Sequence, residues 1–396
     1  MMKWTSAVSD EADLREAVRD AGRRLVERLG RRDLDLLIVF VSAAHRRRYD
    51  ELPELLAIEV DARVVVGCSA AGVVGDGIEL EQGPGLSLTG AVLEGATLRP
   101  AHVWSPLPPS DLPAKWEALT EAPIGERPAF LVLSDPYTFD VQPLLEGLDR
   151  TYPGATIFGG LASGASFPGT TVLLCNGEVY RQGAVVLALS GISVSTIVAQ
   201  GCRPIDRPRF ITACDGNRMF ELDGKPAVPL LREIHEHLDA RDQDLFRQSL
   251  AVGVAMRDQA EEYQIGDFVI RNIVSIEPKK NVVEVGTRLK ELMVVQFHLR
   301  DPRTAAEELD ALLMGEIGRH SARPLGALLL SCVGRGADFY GRPNHDSDRF
   351  CQRFGDTPLA GFFCSGEVGP VRGNTFLHGY TSCFALFRPI AEPDEG

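Results

Sequence analysis

Three apolar runs set the rhythm of this chain: LIVFVS ending at Ser42, FLVLS ending at Ser134 and ALLLS ending at Ser331. Unbroken apolar stretches of this length, flanked by helical patterns, predict parallel strands buried on both faces. A hexapeptide of the form Gly-x-x-[Ala/Cys]-[Ala/Ser]-Gly follows each run, at Gly67–Gly72, Gly159–Gly164 and Gly361–Gly366. The interval from serine to first glycine is 25 positions in the first two copies (42 to 67, 134 to 159) and 30 in the third (331 to 361). Another glycine then opens a further apolar stretch, at Gly90, Gly183 and Gly379. An ordered set of landmarks met three times predicts repeated strand-helix-strand-Gly turn-strand units, with the hexapeptide as the structural turn.

The intervening patterns fill in the helices. Leu14, Ala17, Val18, Ala21, Leu25 and Leu29 form one apolar stripe, predicting a helix over 9–29 with Ser9 or Asp10 as cap and Gly30 as stop. The first unit then reads as strand Leu34–Val41, helix Tyr49–Ile58 and strand Arg63–Val66. The second reads as strand Ala129–Leu133, helix Val141–Arg150 and strand Ala155–Phe158, then a hairpin turning at Asn176-Gly177. The proline-dense run Ser105–Pro113 is a linker between them.

After Gly191 the rhythm breaks. Gly159 and Gly361 are 202 positions apart against 92 for Gly67 and Gly159, so roughly 110 residues are inserted before the third copy. The insertion predicts a helix Pro226–Leu238 and a half-exposed antiparallel strand Met293–Leu299 whose polar positions are Gln296 and His298. A Thr304–Glu307 capping box starts a helix to about Ile317. Leu250–Val254 followed by Phe268–Asn272 has the look of a decayed fourth unit. The expected class is mixed α/β (α+β) with an inserted antiparallel segment, divided into domains 1–220 and 221–396.

Bulk properties narrow the function. A chain of 396 residues with 44% apolar and 24% charged residues is an ordinary globular composition. A net charge of −14 argues against nucleic acid and anionic membranes as partners, and the Arg46–Arg48 run is too short to change that. The N-terminus lacks the apolar core of a signal peptide, and no run approaches the roughly 18–20 apolar residues of a membrane span, so the expected location is cytoplasmic. Eight cysteines occur without any C-x-x-C pair, which argues for reduced, mostly buried thiols.

Candidate chemistry gathers after the third apolar run, in SCVGRGADFYGRPNHDS. Arg335 and Tyr340 lie in a Gly-rich loop at the carboxyl end of a predicted strand, where ligands bind in α/β sheets. A helix beginning at Asn344–Ser347 presents free N–H groups to an anion, although Asn344 or Asp346 equally serves as a plain cap. Glu367 and His378 converge there if the units fold alike. The ligand-binding set is Arg335, Tyr340, Asn344, His345, Asp346, Cys364, Glu367 and His378. Arg335 would meet a carboxylate or phosphate and Glu367 an ammonium group. A metal held by His345, Asp346, Glu367 and His378 lacks any local ligand spacing, so no metal is assigned. Cys68 and Cys364 sit in Gly turns, as turn fillers or as activated thiols. The hexapeptides match neither Rossmann nor P-loop patterns, since Val73, Ala165 and Glu367 follow the last glycine, and no G-x-S-x-G elbow occurs. His235 and His237 read as part of a solvated helix face.

The strings GRGADFYGRPNHDS, PLAGFFCSGEVGPV and NTFLHGYTS closely resemble the FIST C-terminal domain. GCSAAG, IFGGLASG and AQGCRPI resemble its N-terminal partner and LDGKPA the junction, over about Leu34 to Phe387. That resemblance implies an intracellular sensory module binding a small ligand such as an amino acid. Family members occur alone, fused to signalling outputs, or behind an F-box, and some bacterial relatives are haem-binding nitric-oxide sensors. The 33 residues before Leu34 hold one amphipathic helix, too little for an F-box, and no transmitter module is recognisable. The expectation is therefore a non-enzymatic, stand-alone sensor without catalytic residues that acts through a signalling partner. Haem ligated by His345 or His378, and a Cys-dependent enzyme using Cys364 or Cys68, remain as alternatives.

Overall fold

The structure is a computed structural model and describes residues 2–257, 262–264 and 266–390. With 28% helix and 40% strand in several mixed sheets, the fold is mixed α/β as the pattern predicts. Two compact units divide the chain, neither of them continuous. The first holds residues up to Val198, Ala311–Leu377 and the stretch from Thr381; the second holds Ala199–Asp310 and His378–Tyr380.

Three six-stranded sheets of one design build the first unit. In each, an apolar run pairs in parallel with the strand that enters the hexapeptide: Asp33–Ser42 with Asp61–Ala70, Ala129–Ser134 with Ile157–Leu161, and Gly326–Cys332 with Leu359–Cys364. A return strand lies antiparallel on the other side, at Leu86–Val92, Ala184–Ser190 and Ser382–Pro389. An edge strand flanks it, at Lys3–Ser9, Thr97–Val103 and Ile192–Ala199.

The remaining two strands of every sheet come from elsewhere. The hairpin Val73–Gly75/Ile78–Leu80, which leaves the first hexapeptide, pairs with Leu359–Cys364 of the third sheet. Leu173–Cys175/Glu178–Tyr180 completes the first sheet, and Glu367–Val371/Asn374–His378 completes the second. The exchange is cyclic, so each sheet depends on a segment far away in sequence. Backbone bonds join the three hexapeptides where they meet, from Ser163 N to Ser69 O (3.1 Å) and from Ser365 N to Leu161 O (3.1 Å).

The inner faces share one core, in which Trp4 stacks on Phe387 (4.3 Å between centroids) and Phe40 on Phe362 (4.6 Å). Helices cover the outer faces: Leu14–Leu29 and Leu52–Glu59 on the first sheet, Pro113–Thr120 and Gln142–Thr151 on the second, and His345–Phe354 on the third.

Several expectations are corrected. Lys3–Ser9 is a strand, buried except at Lys3, and the helix begins at Leu14 with Asp13 as its cap, accepting from the amides of Arg15 and Glu16. Gly90 lies inside the return strand; Gly85 is the counterpart of Gly183, because Ser42 N donates to Gly85 O just as Asp135 N does to Gly183 O. In the second unit, Leu250–Ala255 and Phe268–Glu277 pair antiparallel, so this segment is no fourth copy of the parallel unit. These two strands, with Arg209–Asp215, Arg218–Leu222, Val282–Val285 and Val294–Arg300, close into an antiparallel barrel-like sheet.

The strand Val294–Arg300 is buried on both faces rather than half-exposed. Its polar positions are satisfied internally: Gln296 Nε2 donates to Asp206 O (2.6 Å), and His298 Nδ1 bonds Gln296 O (2.9 Å). Burial lowers the His298 pKa to about 4, so the imidazole is neutral. Asp301, not Thr304, caps the Pro302–Arg319 helix, accepting from Arg303 N (3.1 Å). His235 is half-buried and edge-on to Phe246 (5.1 Å) rather than fully solvated.

Candidate functional site

The third sheet ends in a turn in which Arg335 N bonds Cys332 O (2.9 Å), which sends the Arg335 side chain inward until it is 3% exposed. The five residues that this copy adds make room for a short helix, Ala337–Tyr340, before the His345–Phe354 helix. Arg335 Nε donates to Asp346 Oδ2 (3.1 Å), and its Nη2 donates to the Tyr340 hydroxyl. Ser382 Oγ also donates to Asp346 Oδ2 (2.8 Å), and His345 Nδ1 bonds Asp346 Oδ1 (2.8 Å). The His345 ring lies flat on Tyr340 (3.4 Å, 9°). Arg349 Nε donates to His345 Nε2 (3.0 Å), so Nδ1 is the nitrogen that donates to Asp346.

Burial pushes the Asp346 pKa up, but the Arg335 guanidinium and His345 outweigh it and hold the carboxyl well below the usual range. Two other carboxyls go the opposite way. Burial raises Glu367 to about 8, despite a bond from Thr381 N (3.1 Å) and the attraction of Arg335. Burial, with the Asp346 charge adding to it, raises Glu79 to about 7. Tyr340 is likewise pushed up by burial.

Glu79 and Glu81 arrive on the exchanged hairpin. Glu79 Oε1 accepts from Ser347 N (2.7 Å), while Asn344 Oδ1 accepts from Glu79 N (2.8 Å), so the two residues cap each other's segments across 265 positions. Both oxygens of Glu81 accept from Ala337 N (2.9 Å each). The start of the His345–Phe354 helix is thus occupied by a carboxylate of the protein itself, and Asn344 serves that contact rather than capping its own helix. Beside this network lies a cavity of about 200 Å³, bordered by Gly72, Glu81, Val333, Arg335, Asp338 and Phe363. A larger cavity of about 810 Å³, bordered by Arg32, Asp61 and Arg63, lies at the amino ends of the first parallel strands. Binding sites in such sheets form at the carboxyl ends, which favours the smaller one.

Of the predicted residues, Arg335, Tyr340, His345 and Asp346 form one contact network, Asn344 joins it through Glu79, and Glu367 feels the Arg335 charge. Cys364 is fully buried, and its pKa is raised well above the thiol range by that burial, with Glu367 adding to it. Cys68 is buried and raised in the same way. His378 is buried at the end of the Asn374–His378 strand and groups with the second unit. Among the described residues no group of three or more His, Cys, Asp or Glu is placed to hold a metal. Sequence reasoning missed Glu79, Glu81, Phe363 and Ser382; the Gly75-Asp76-Gly77 turn between two short apolar segments was the one sign of the hairpin that carries the two glutamates.

A raised carboxyl pKa makes a prediction with a definite sign. The native state holds the Glu79 proton more tightly than the unfolded chain, so this stability is fully present below pH 4.5 and is lost as pH rises through 7. Glu79→Gln keeps an acceptor for Ser347 N and needs no proton. It should be more stable than the parent at pH 8, by about 1–3 kcal/mol, with the gap shrinking towards pH 5. Urea unfolding at both pH values checks this; an equal gap at both would exclude Glu79 as the titrating group.

Residues 35–225 match the FIST N domain model and residues 227–370 match the FIST C domain model. The chain belongs to the FIST family. FIST domains are associated with ligand binding in sensory signal transduction. An uncharacterised Mycobacterium tuberculosis protein is similar to this FIST chain, at 32% identity over 389 residues, 98% of this chain and 100% of that protein. An uncharacterised Mycobacterium bovis protein is 31% identical over 392 residues, 98% and 99% of the two chains. Human F-box only protein 22 is 26% identical over 145 residues, 30% of this chain and 35% of that protein. Among solved structures, a cyanuric acid hydrolase from A. caulinodans overlaps with a TM-score of 0.39 and 8% identity, covering 99% of this chain and 100% of that one. A likeness of that degree informs neither chemistry nor substrate. No helix among the described residues is long and apolar enough to cross a membrane.

Proposed function

We propose that this FIST protein is a non-enzymatic cytoplasmic sensor that binds a small metabolite, an amino acid or a molecule of that size, in the cavity beside Arg335 and signals through a protein partner. The observation that carries this reading is a small cavity at the carboxyl ends of the third sheet, bordered by a buried arginine whose neighbours are held in place. Pre-organised polar groups around a concavity are what ligand recognition requires. His345 and Cys364 are poorly suited to serve as base and nucleophile, because both His345 nitrogens are engaged and burial keeps Cys364 protonated. The same two contacts leave His345 no open nitrogen for a haem iron, so the residue does not fit an axial ligand.

Thermal unfolding in the presence of amino acids and related metabolites tests the proposal, since a ligand that binds the native state alone stabilises by about 2.7 kcal/mol at a hundred times its Kd. Val333→Trp is the matched control: Val333 is 48% exposed at the cavity wall, so the larger ring should block the cavity without entering the buried network. The expected result is a ligand-dependent rise in Tm that Val333→Trp abolishes. A rise unchanged in that variant would place the ligand elsewhere, and no rise with any compound would sink the proposal.

A further inference from the structure

The charges around the cavity say which end of a ligand it accepts, an inference that rests on the binding site proposed above. Arg335 is the cation on the wall, but its guanidinium is already matched by Asp346 at 3.1 Å and by the Tyr340 hydroxyl. The nearest helix-start amide, Ala337 N, is already taken by Glu81. An incoming carboxylate or phosphate would find its two natural partners occupied. It would also face Glu81 and the exposed Asp338, the two acidic side chains of the wall, in a chain of net charge −14.

A cation meets the reverse situation. Glu81 spends both oxygens on one amide proton, which leaves most of its acceptor capacity for an ammonium group. Phe363 and Val333 supply an apolar surface for a short hydrocarbon body. We propose that the cavity selects its ligand by a cationic amine, so that small primary amines and the ammonium end of amino acids are recognised while simple anions are not. This reverses the role first expected of Arg335, which becomes the counter-ion that holds Asp346 and Tyr340 in place.

Matched probes separate the possibilities. Propylamine and propionate have similar bulk and opposite charge, and alanine carries both groups. Binding of each is measured by NMR titration at fixed pH and ionic strength, on the parent chain, on Glu81→Gln, on Asp338→Asn and on Val333→Trp. Glu81→Gln retains an oxygen for Ala337 N, and Asp338→Asn changes an exposed side chain, so both variants should fold. The amine should bind at least about tenfold more tightly than propionate and lose at least about tenfold in Glu81→Gln, as expected for removing a charge partner at contact distance. Propionate binding as tightly as propylamine and lost in Val333→Trp would overturn the charge preference while keeping the cavity. Amine binding unchanged in Glu81→Gln and Asp338→Asn would overturn it as well. No binding by any of the three probes would overturn both this inference and the site on which it rests.

Discussion

An Arg335→Ala variant should lose about 3–5 kcal/mol of stability, the cost of leaving one partner of a buried ion pair unmatched. Asp346 is 2% exposed, and the hydrogen bonds from Ser382 and His345 do not replace the positive charge once the guanidinium is gone. The Tyr340 hydroxyl loses its donor at the same time. The loss should be smaller in acid, because an unpaired Asp346 can then take up a proton. The three tryptophans, Trp4, Trp104 and Trp116, all lie in the first unit, so intrinsic fluorescence during urea unfolding reports on the unit that holds the network. The double variant Arg335→Met/Asp346→Leu should recover part of the loss, since replacing both charges removes the unmatched one. A loss below about 1 kcal/mol in Arg335→Ala would mean that water or another cation reaches Asp346, and that the network is not the rigid wall described.

What the chain reveals before folding follows from how local each feature is. The parallel strands were legible because burial on both faces demands unbroken apolar runs, as in LIVFVS and ALLLS. Arg335, Tyr340, His345 and Asp346 were legible as a group because one loop and one helix start carry them all. Lys3–Ser9 was not, because KWTSAVS mixes polar and apolar residues and is buried only through pairing with Leu86–Val92. Glu79 and Glu81 were illegible as site residues for a stronger reason. Nothing local ties the hairpin after Gly72 to a helix that begins at His345, and only the exchange of strands brings them together. The compact units follow no single cut in the sequence, because the chain leaves the first after Val198 and returns to it at Ala311.

Gly361→Ala should cost more than about 3 kcal/mol, at or beyond the upper end of ordinary overpacking. A Cβ on Gly361 would sit 1.8 Å from Leu329 O and 2.7 Å from its carbonyl carbon, and Leu329 is the register partner of Gly361 in the parallel pair. The obstacle is backbone, so no rotamer change relieves it; the two strands must separate. The same approach holds for Gly67 over Val39 O (2.1 Å) and Gly159 over Val132 O (1.8 Å), which explains why each hexapeptide opens on glycine. That glycine lies in a strand, and its role is close contact rather than a turn or a phosphate cradle. Gly315→Ala is the counter-test, since this residue lies inside the Pro302–Arg319 helix with nothing within 4 Å of its added methyl. That change should stabilise by about 0.5–1 kcal/mol through helix propensity alone. Soluble yield and urea midpoints of the two variants measure both effects. If Gly361→Ala folded with an unchanged midpoint, the close approach of the parallel strands would be wrong, and the shared explanation of the three hexapeptides would fall with it.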